Sequence, residues 1–231
     1  MSGEGSQSPW VWAAWGCGGC LLLTGLALVV LIFAGVRTVK NIDRELNDPA
    51  ARVEKARELL GADTFPEGYE PVITFSIPFL FDTVMLADRP LDQNEELSDE
   101  TERMFVYVEL IRGDSRWRRF AEDGDPSRVL ADQGIHARRQ EEIGRGELSV
   151  DGPEIDYVSQ RGAVTVHGHD YEGISTFLFI RCPGSKRMRV GVWCNPDPNE
   201  GVPVSDADFS GTNADPERIQ AFVSHFDFCG S

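Results

Sequence analysis

No charged residue occurs between Glu4 and Arg37, and from Cys20 to Phe33 the run Cys-Leu-Leu-Leu-Thr-Gly-Leu-Ala-Leu-Val-Val-Leu-Ile-Phe is almost wholly apolar. This stretch constrains the chain more than any other, because about 20 such residues in a helix cross a hydrocarbon core of roughly 30 Å. Residues 11–36 are therefore read as one transmembrane helix, with Cys17 to Val36 supplying the length. Trp10, Trp12 and Trp15 precede it, where indoles favour the headgroup level, and Arg37 and Lys40 mark the other exit. A cleavable signal peptide fits less well. No basic residue precedes the run, its length exceeds the usual signal core, and no small-x-small cleavage site follows.

Residues 1–36 hold no Lys or Arg, whereas Arg37, Lys40, Arg44, Arg52, Lys55 and Arg57 follow closely. By the positive-inside rule the globular part then faces the cytoplasm. Gly16, Cys20 and Thr24 recur every four residues, so small side chains line one helix face. Such a stripe lets a second helix approach, and a homodimer contact is the expectation it carries. The domain plan is a short tail (1–10), the membrane helix (11–36), a connector (37–48) and one globular domain (49–231).

That domain should fold, since hydrophobic residues make up 41% of the chain and charged ones 26%. With 38 acids against 22 bases and a formal net charge of −16, nucleic acid is excluded as a partner. An acidic surface repels phosphate, and no basic stripe with interleaved aromatics offsets it. The partners expected are the lipid bilayer and a protein, and no cofactor is expected.

Asp48-Pro49 opens a helix that runs through Leu60 and stops at Gly61. Asp caps the free amides, and Pro is tolerated where its missing N–H had no partner. The same opening recurs at Asp125-Pro126 and at Asp215-Pro216, the last followed by an apolar stripe of Ile219, Phe222, Val223 and Phe226. A shorter helical turn is read around Ser115 to Glu122. Strands are expected at 71–78, 79–87, 103–112, 147–150, 155–160, 162–167, 173–181 and 187–194. In the third, apolar residues alternate onto both faces, so both faces need cover. Cys182-Pro-Gly-Ser-Lys186 reads as a hairpin turn. The fold class is thus α+β: an antiparallel sheet with helices packed on it and a closing C-terminal helix, preceded by the transmembrane helix.

The Pro-Glu-Gly-Tyr segment at residues 66–69, the long strand meander and the closing helix together resemble the layout of PsbP-like α/β/α sandwiches over residues 64–229. The resemblance implies a small binding or accessory domain and transfers no site residue.

Three constellations bear on chemistry. Cys17-Gly-Gly-Cys20 has the spacing of a redox dithiol, which leads to a thiol redox protein as one alternative function, but the pair enters an apolar helix rather than opening one beside a βαβ sheet. His167-Gly-His169-Asp170 places two imidazoles at i, i+2, the spacing of strand residues that share a metal in zinc enzymes. A metal-dependent hydrolase using His167 and His169 is the other alternative, against the reading of a polar turn. Of the domain thiols Cys182, Cys194 and Cys229, the pair Cys194 and Cys229 is the better disulfide candidate, against three buried thiols. A disulfide there would favour an oxidising compartment, in conflict with the charge-based orientation. No phosphate loop, nucleophile elbow or spaced carboxylate pair is present in the sequence. The leading expectation is a membrane-anchored, non-catalytic binding or interaction domain.

Overall fold

The computed structural model describes residues 48–77, 80–89, 101–110, 135–150, 152–166 and 169–230. All of them belong to the second of two units into which the chain divides, residues 1–43 and 44–231. Seven strands form one sheet: β1 (Glu70–Ile77), β2 (Phe81–Ala87), β3 (Met104–Leu110), β4 (Ile135–Ser149), β5 (Glu154–Val166), β6 (His169–Arg181) and β7 (Met188–Asn195). Their order is β1-β2-β3-β7-β6-β5-β4, and every neighbouring pair is antiparallel. Among the described residues two α-helices join them, α1 (Pro49–Leu60) and α2 (Pro216–Val223), with a 3-10 turn at Val204–Asp206.

This corrects the expected fold class. Strands dominate, curving as a half-barrel, and the described helices have only 12 and 8 residues. The membrane-spanning helix expected over residues 11–36 lies outside the described residues. No described helix is long and apolar enough to cross a membrane. The helices expected near Ser115 and after Asp125-Pro126 also lie outside the described residues. Both described helices sit on one face of the sheet, so the layered α/β/α arrangement implied by the PsbP-like resemblance is not found among them.

Both described helices start at the expected Asp-Pro openings. Asp48 caps α1 by accepting from the Ala50 and Ala51 amides, and Gly61 ends it at φ 59, a conformation a side chain would strain. A Cβ at Gly61 would also lie 2.3 Å from the Asp227 carbonyl oxygen, because the C-terminal segment crosses there with Asp227 N–H donating to Gly61 O at 3.3 Å. Asp215 caps α2 through the Glu217 amide. Ser185 N–H donates to Cys182 O at 3.1 Å, closing the expected hairpin turn.

Alternation along the strands divides the core in two. On β3, Phe105 and Tyr107 point to the face carrying the helices, while Met104, Val106, Val108 and Leu110 point behind. All seven residues of β3 are buried, as its two-sided apolar pattern requires. On the helix side, Phe222 is the hub: it stacks on Trp193 at 4.0 Å between ring centroids and meets Phe105 edge-on at 5.1 Å and Tyr69 at 5.5 Å. Such pairs add about 1 kcal/mol each beyond area burial. Gly191 leaves room for this cluster, since a Cβ there would lie 2.8 Å from the Phe105 ring.

The C-terminal segment is tied down twice. A disulfide joins Cys182, at the end of β6, to Cys229, with 5.5 Å between their Cα atoms. Ahead of α2, the fully buried Asn213 side chain donates to Ile174 O at 2.9 Å and Trp193 O at 2.8 Å. Its own backbone carbonyl accepts from Thr176 Oγ1, which also contacts Ser159 Oγ at 2.9 Å. Buried strand carbonyls are thereby satisfied, and the N-terminus of α2 is fixed over β6 and β7.

Candidate functional site

A cleft of about 540 Å³ opens where the turn before β1, the start of β3, the end of β7 and one flank of α2 meet. Its size is that of small-molecule sites. Strand pairing and the Asn213 anchor bring these elements together, since the residues themselves are far apart in sequence.

A hydrogen-bonded chain crosses the cleft floor. Trp193 Nε1 lies 2.6 Å from Tyr69 Oη, and Tyr69 Oη lies 3.1 Å from Asn195 Oδ1. An indole N–H only donates, so the tyrosine oxygen accepts it and must pass its own proton to Asn195 Oδ1. The order is therefore fixed, and the amide nitrogen of Asn195, a residue of the cleft lining, is left as a donor. Burial pushes the Tyr69 hydroxyl up to about 12, with the Trp193 bond and Arg103 acting against that rise. Tyr69 stays protonated near neutral pH.

The walls carry charge. Arg103 lies over the Tyr69 ring at 5.7 Å, and its Nε is 3.5 Å from Asp88 Oδ2. Arg218 and His225 come from α2 and its C-terminal end, and Glu67 is the one acid of the lining among the described residues. His225 Nδ1 lies 3.0 Å from Ala221 O and 3.3 Å from Phe222 O, both backbone carbonyls of α2. Among the described residues no hydroxyl or thiol is hydrogen-bonded to an imidazole, so none forms an activated nucleophile of the usual kind.

No family model, curated protein or solved structure matches this chain.

The residues singled out from sequence fall elsewhere. His167 lies outside the described residues, and His169 opens β6 in register with Val166. The polar tract is shorter than expected, because β5 and β6 extend to within two residues of each other. Asp170 is engaged by Thr165 Oγ1 and Arg138 Nη2, each at 2.5 Å, which holds its carboxyl below the usual range. His136 is exposed on β4 opposite Thr165, and His225 belongs to the cleft just after α2. No group of three or more His, Cys, Asp or Glu among the described residues is placed to hold a metal. Cys17, together with Gly16, Cys20 and Thr24, lies outside the described residues.

The disulfide expectation is corrected in one partner. Cys229 pairs with Cys182, and Cys194 is free and buried. The cause is strand parity: Cys194 belongs to the core behind the sheet, whereas Cys182 and Cys229 lie on the helix side. Burial pushes the Cys194 thiol up to about 11, which makes it a poor nucleophile.

Two further polar groups are structural. Glu109, buried at the other end of β3, accepts from Arg189 Nε at 2.9 Å, from Arg187 and from the Tyr107 hydroxyl at 3.1 Å, so its charge is compensated. A second cleft of about 330 Å³ borders Arg161, whose Nε lies 2.6 Å from Asp197 Oδ2 while its other nitrogens hold the Asn199 and Val202 carbonyls. That guanidinium anchors the loop after β7.

Sequence reasoning missed Tyr69, Arg103, Trp193, Asn195 and Arg218. Tyr69 and Asn195 are 126 positions apart, and no local pattern links them. In the sequence, Gly68-Tyr69 stands out only as part of the Pro-Glu-Gly-Tyr layout.

Proposed function

We propose that the domain is a non-catalytic binding module whose ligand seat is the cleft over Tyr69, working in an oxidising compartment. The observation that supports it is the preformed floor: Trp193, Tyr69 and Asn195 are locked in one hydrogen-bond order before any ligand arrives. Preorganised donors lower the cost of binding. The protonated, desolvated Tyr69 and the backbone-bound His225 suit recognition better than proton transfer. The compartment follows from the Cys182–Cys229 disulfide, since such bonds persist in oxidising surroundings. This reverses the cytoplasmic placement drawn from flanking charge. A lipid bilayer is proposed as a further partner on the sequence of residues 11–36 alone.

The test is a thermal-shift survey of the full-length chain against small molecules of positive, negative and no charge. Ala221 is exposed on α2 at the cleft, and Ala221→Trp fills the space. A ligand at about 100 times its Kd stabilises by about 2.7 kcal/mol. That gain is expected in the parent chain and lost in Ala221→Trp. Stabilisation that survives the substitution would place the seat elsewhere.

A further inference from the structure

The geometry points to an oxyanion, a carboxylate or phosphate group on a small molecule, as the ligand of the Tyr69 cleft; this deepens the binding reading and rests on it. The cleft is rich in donors and poor in acceptors. Asn195 has committed its carbonyl oxygen to Tyr69, so its amide presents N–H groups. Asp88 engages only Nε of Arg103, and neither Nη has an acceptor among the described residues. The Arg218 side chain has no partner among them either. Facing these donors, Glu67 is the single acid of the lining among the described residues.

Arg103 is positioned rather than consumed. Asp88 and the Tyr69 ring hold its guanidinium, whose two terminal nitrogens lie beside Gly68 at the cleft wall. Gly68 permits this approach, since a Cβ there would lie 3.0 Å from Arg103 Nη2, and its φ of 79 is one that side chains avoid. A guanidinium held this way offers a bidentate fork to an oxyanion.

The acidity of the whole chain does not oppose this. Its net charge of −16 acts at long range and is screened beyond roughly 8 Å at physiological salt, whereas donors in contact with the ligand are not. Acidic surroundings would slow the approach of an anion without abolishing its seat, and they discourage polyanions such as nucleic acid.

The experiment is calorimetric titration of the full-length chain with citrate and, separately, with inorganic phosphate at constant ionic strength. At least one is expected to bind saturably. Arg218→Gln and Asn195→Asp should each weaken that binding by at least about tenfold, a loss of about 1.4 kcal/mol. Asn195→Asp keeps the side-chain shape while replacing donors with a charge that repels the ligand. Arg145→Gln, at an exposed β4 position paired with Glu142, should leave it unchanged. Preference for citrate assigns a carboxylate and preference for phosphate a phosphate group. Saturable binding that ignores both cleft substitutions would overturn the assignment. So would no binding of either anion while neutral or cationic compounds are lost on Ala221→Trp, a result that leaves the binding reading standing. If compounds of no charge class are lost on Ala221→Trp, the binding reading itself fails.

Discussion

On the face of the sheet that carries α1 and α2, eight of the twenty described core residues are aromatic, among them Tyr69, Phe105, Tyr107, Trp193, Phe222, Phe226 and Phe228. The face behind is largely aliphatic, with Val106, Val108, Val190 and Val192 beside Phe177 and Phe179. The same strands supply both, residue by residue in alternation. The helix face also has the disulfide, the Asn213 anchor and the cleft, whereas the face behind has the free Cys194. Large flat rings at a sheet surface leave polar tips and edges at the margin, and those margins form the floor and walls of a binding seat.

The contrast can be broken most forcefully at Phe222. Phe222→Ala removes the ring that touches Trp193, Phe105 and Tyr69 and should cost about 3 to 5 kcal/mol. Val192→Ala behind the sheet should cost about 2 kcal/mol, the loss of two methyl groups and a small cavity. Urea denaturation of both variants checks the order, and equal losses would mean that the aromatic hub has no special weight.

Next in size is the latch. Replacing both Cys182 and Cys229 by Ser opens a closure spanning 47 residues, with an expected loss of about 2 to 4 kcal/mol. The loss should concentrate on the helix face. Hydrogen exchange is expected to rise in α2 while β3 and β7 stay protected. A uniform rise would show that the bond stabilises the domain without distinguishing its faces.

The smallest effect is a pH response. All four tyrosines are pushed up chiefly by burial, Tyr69 to about 12. Three of them, Tyr69, Tyr107 and Tyr157, lie on the helix face, and Tyr171 packs behind. A raised tyrosine pKa means the folded state keeps a proton that the unfolded chain releases. The stability it contributes is present below about pH 10 and is lost as pH rises through the raised value. Tyrosinate absorbance should therefore lag in the native protein and rise steeply only with alkaline unfolding. An ordinary titration near pH 10 with the fold intact would contradict the burial of these rings.

How much of this was legible follows from the range of each interaction. Asp48-Pro49 and Gly61, the Cys182 to Lys186 turn and the stripe before Phe226 are local signals, and they placed α1, the last hairpin and α2 within a few residues. β4 was missed over residues 135–146 because it is an edge strand: His136, Arg138, Glu141, Glu142 and Arg145 are exposed, and two register shifts interrupt its alternation. Charge and bulges on an edge guard against stray pairing and erase the pattern that reveals a strand. Gly162 broke the expected run between 160 and 162, yet its pairing with Gly173 carries β5 through. The cleft was illegible for a different reason. Trp193, Tyr69 and Asn195 acquire their roles only when β7 and the turn before β1 are brought together, and no spacing in the chain announces that. The cysteine pairing failed on parity, since the side of the sheet that Cys194 occupies depends on the register of β7.

That assignment of side chains to faces underlies the helix cover, the latch and the cleft alike, and one measurement reaches it directly. The full-length chain is alkylated under native and then denaturing, non-reducing conditions, digested with trypsin and mapped by mass spectrometry. The peptide carrying Cys182 is expected to be disulfide-linked to the one carrying Cys229, with Cys194 resisting alkylation until the chain unfolds. A bond between Cys194 and Cys229, or rapid native labelling of Cys194, would contradict the two-faced arrangement.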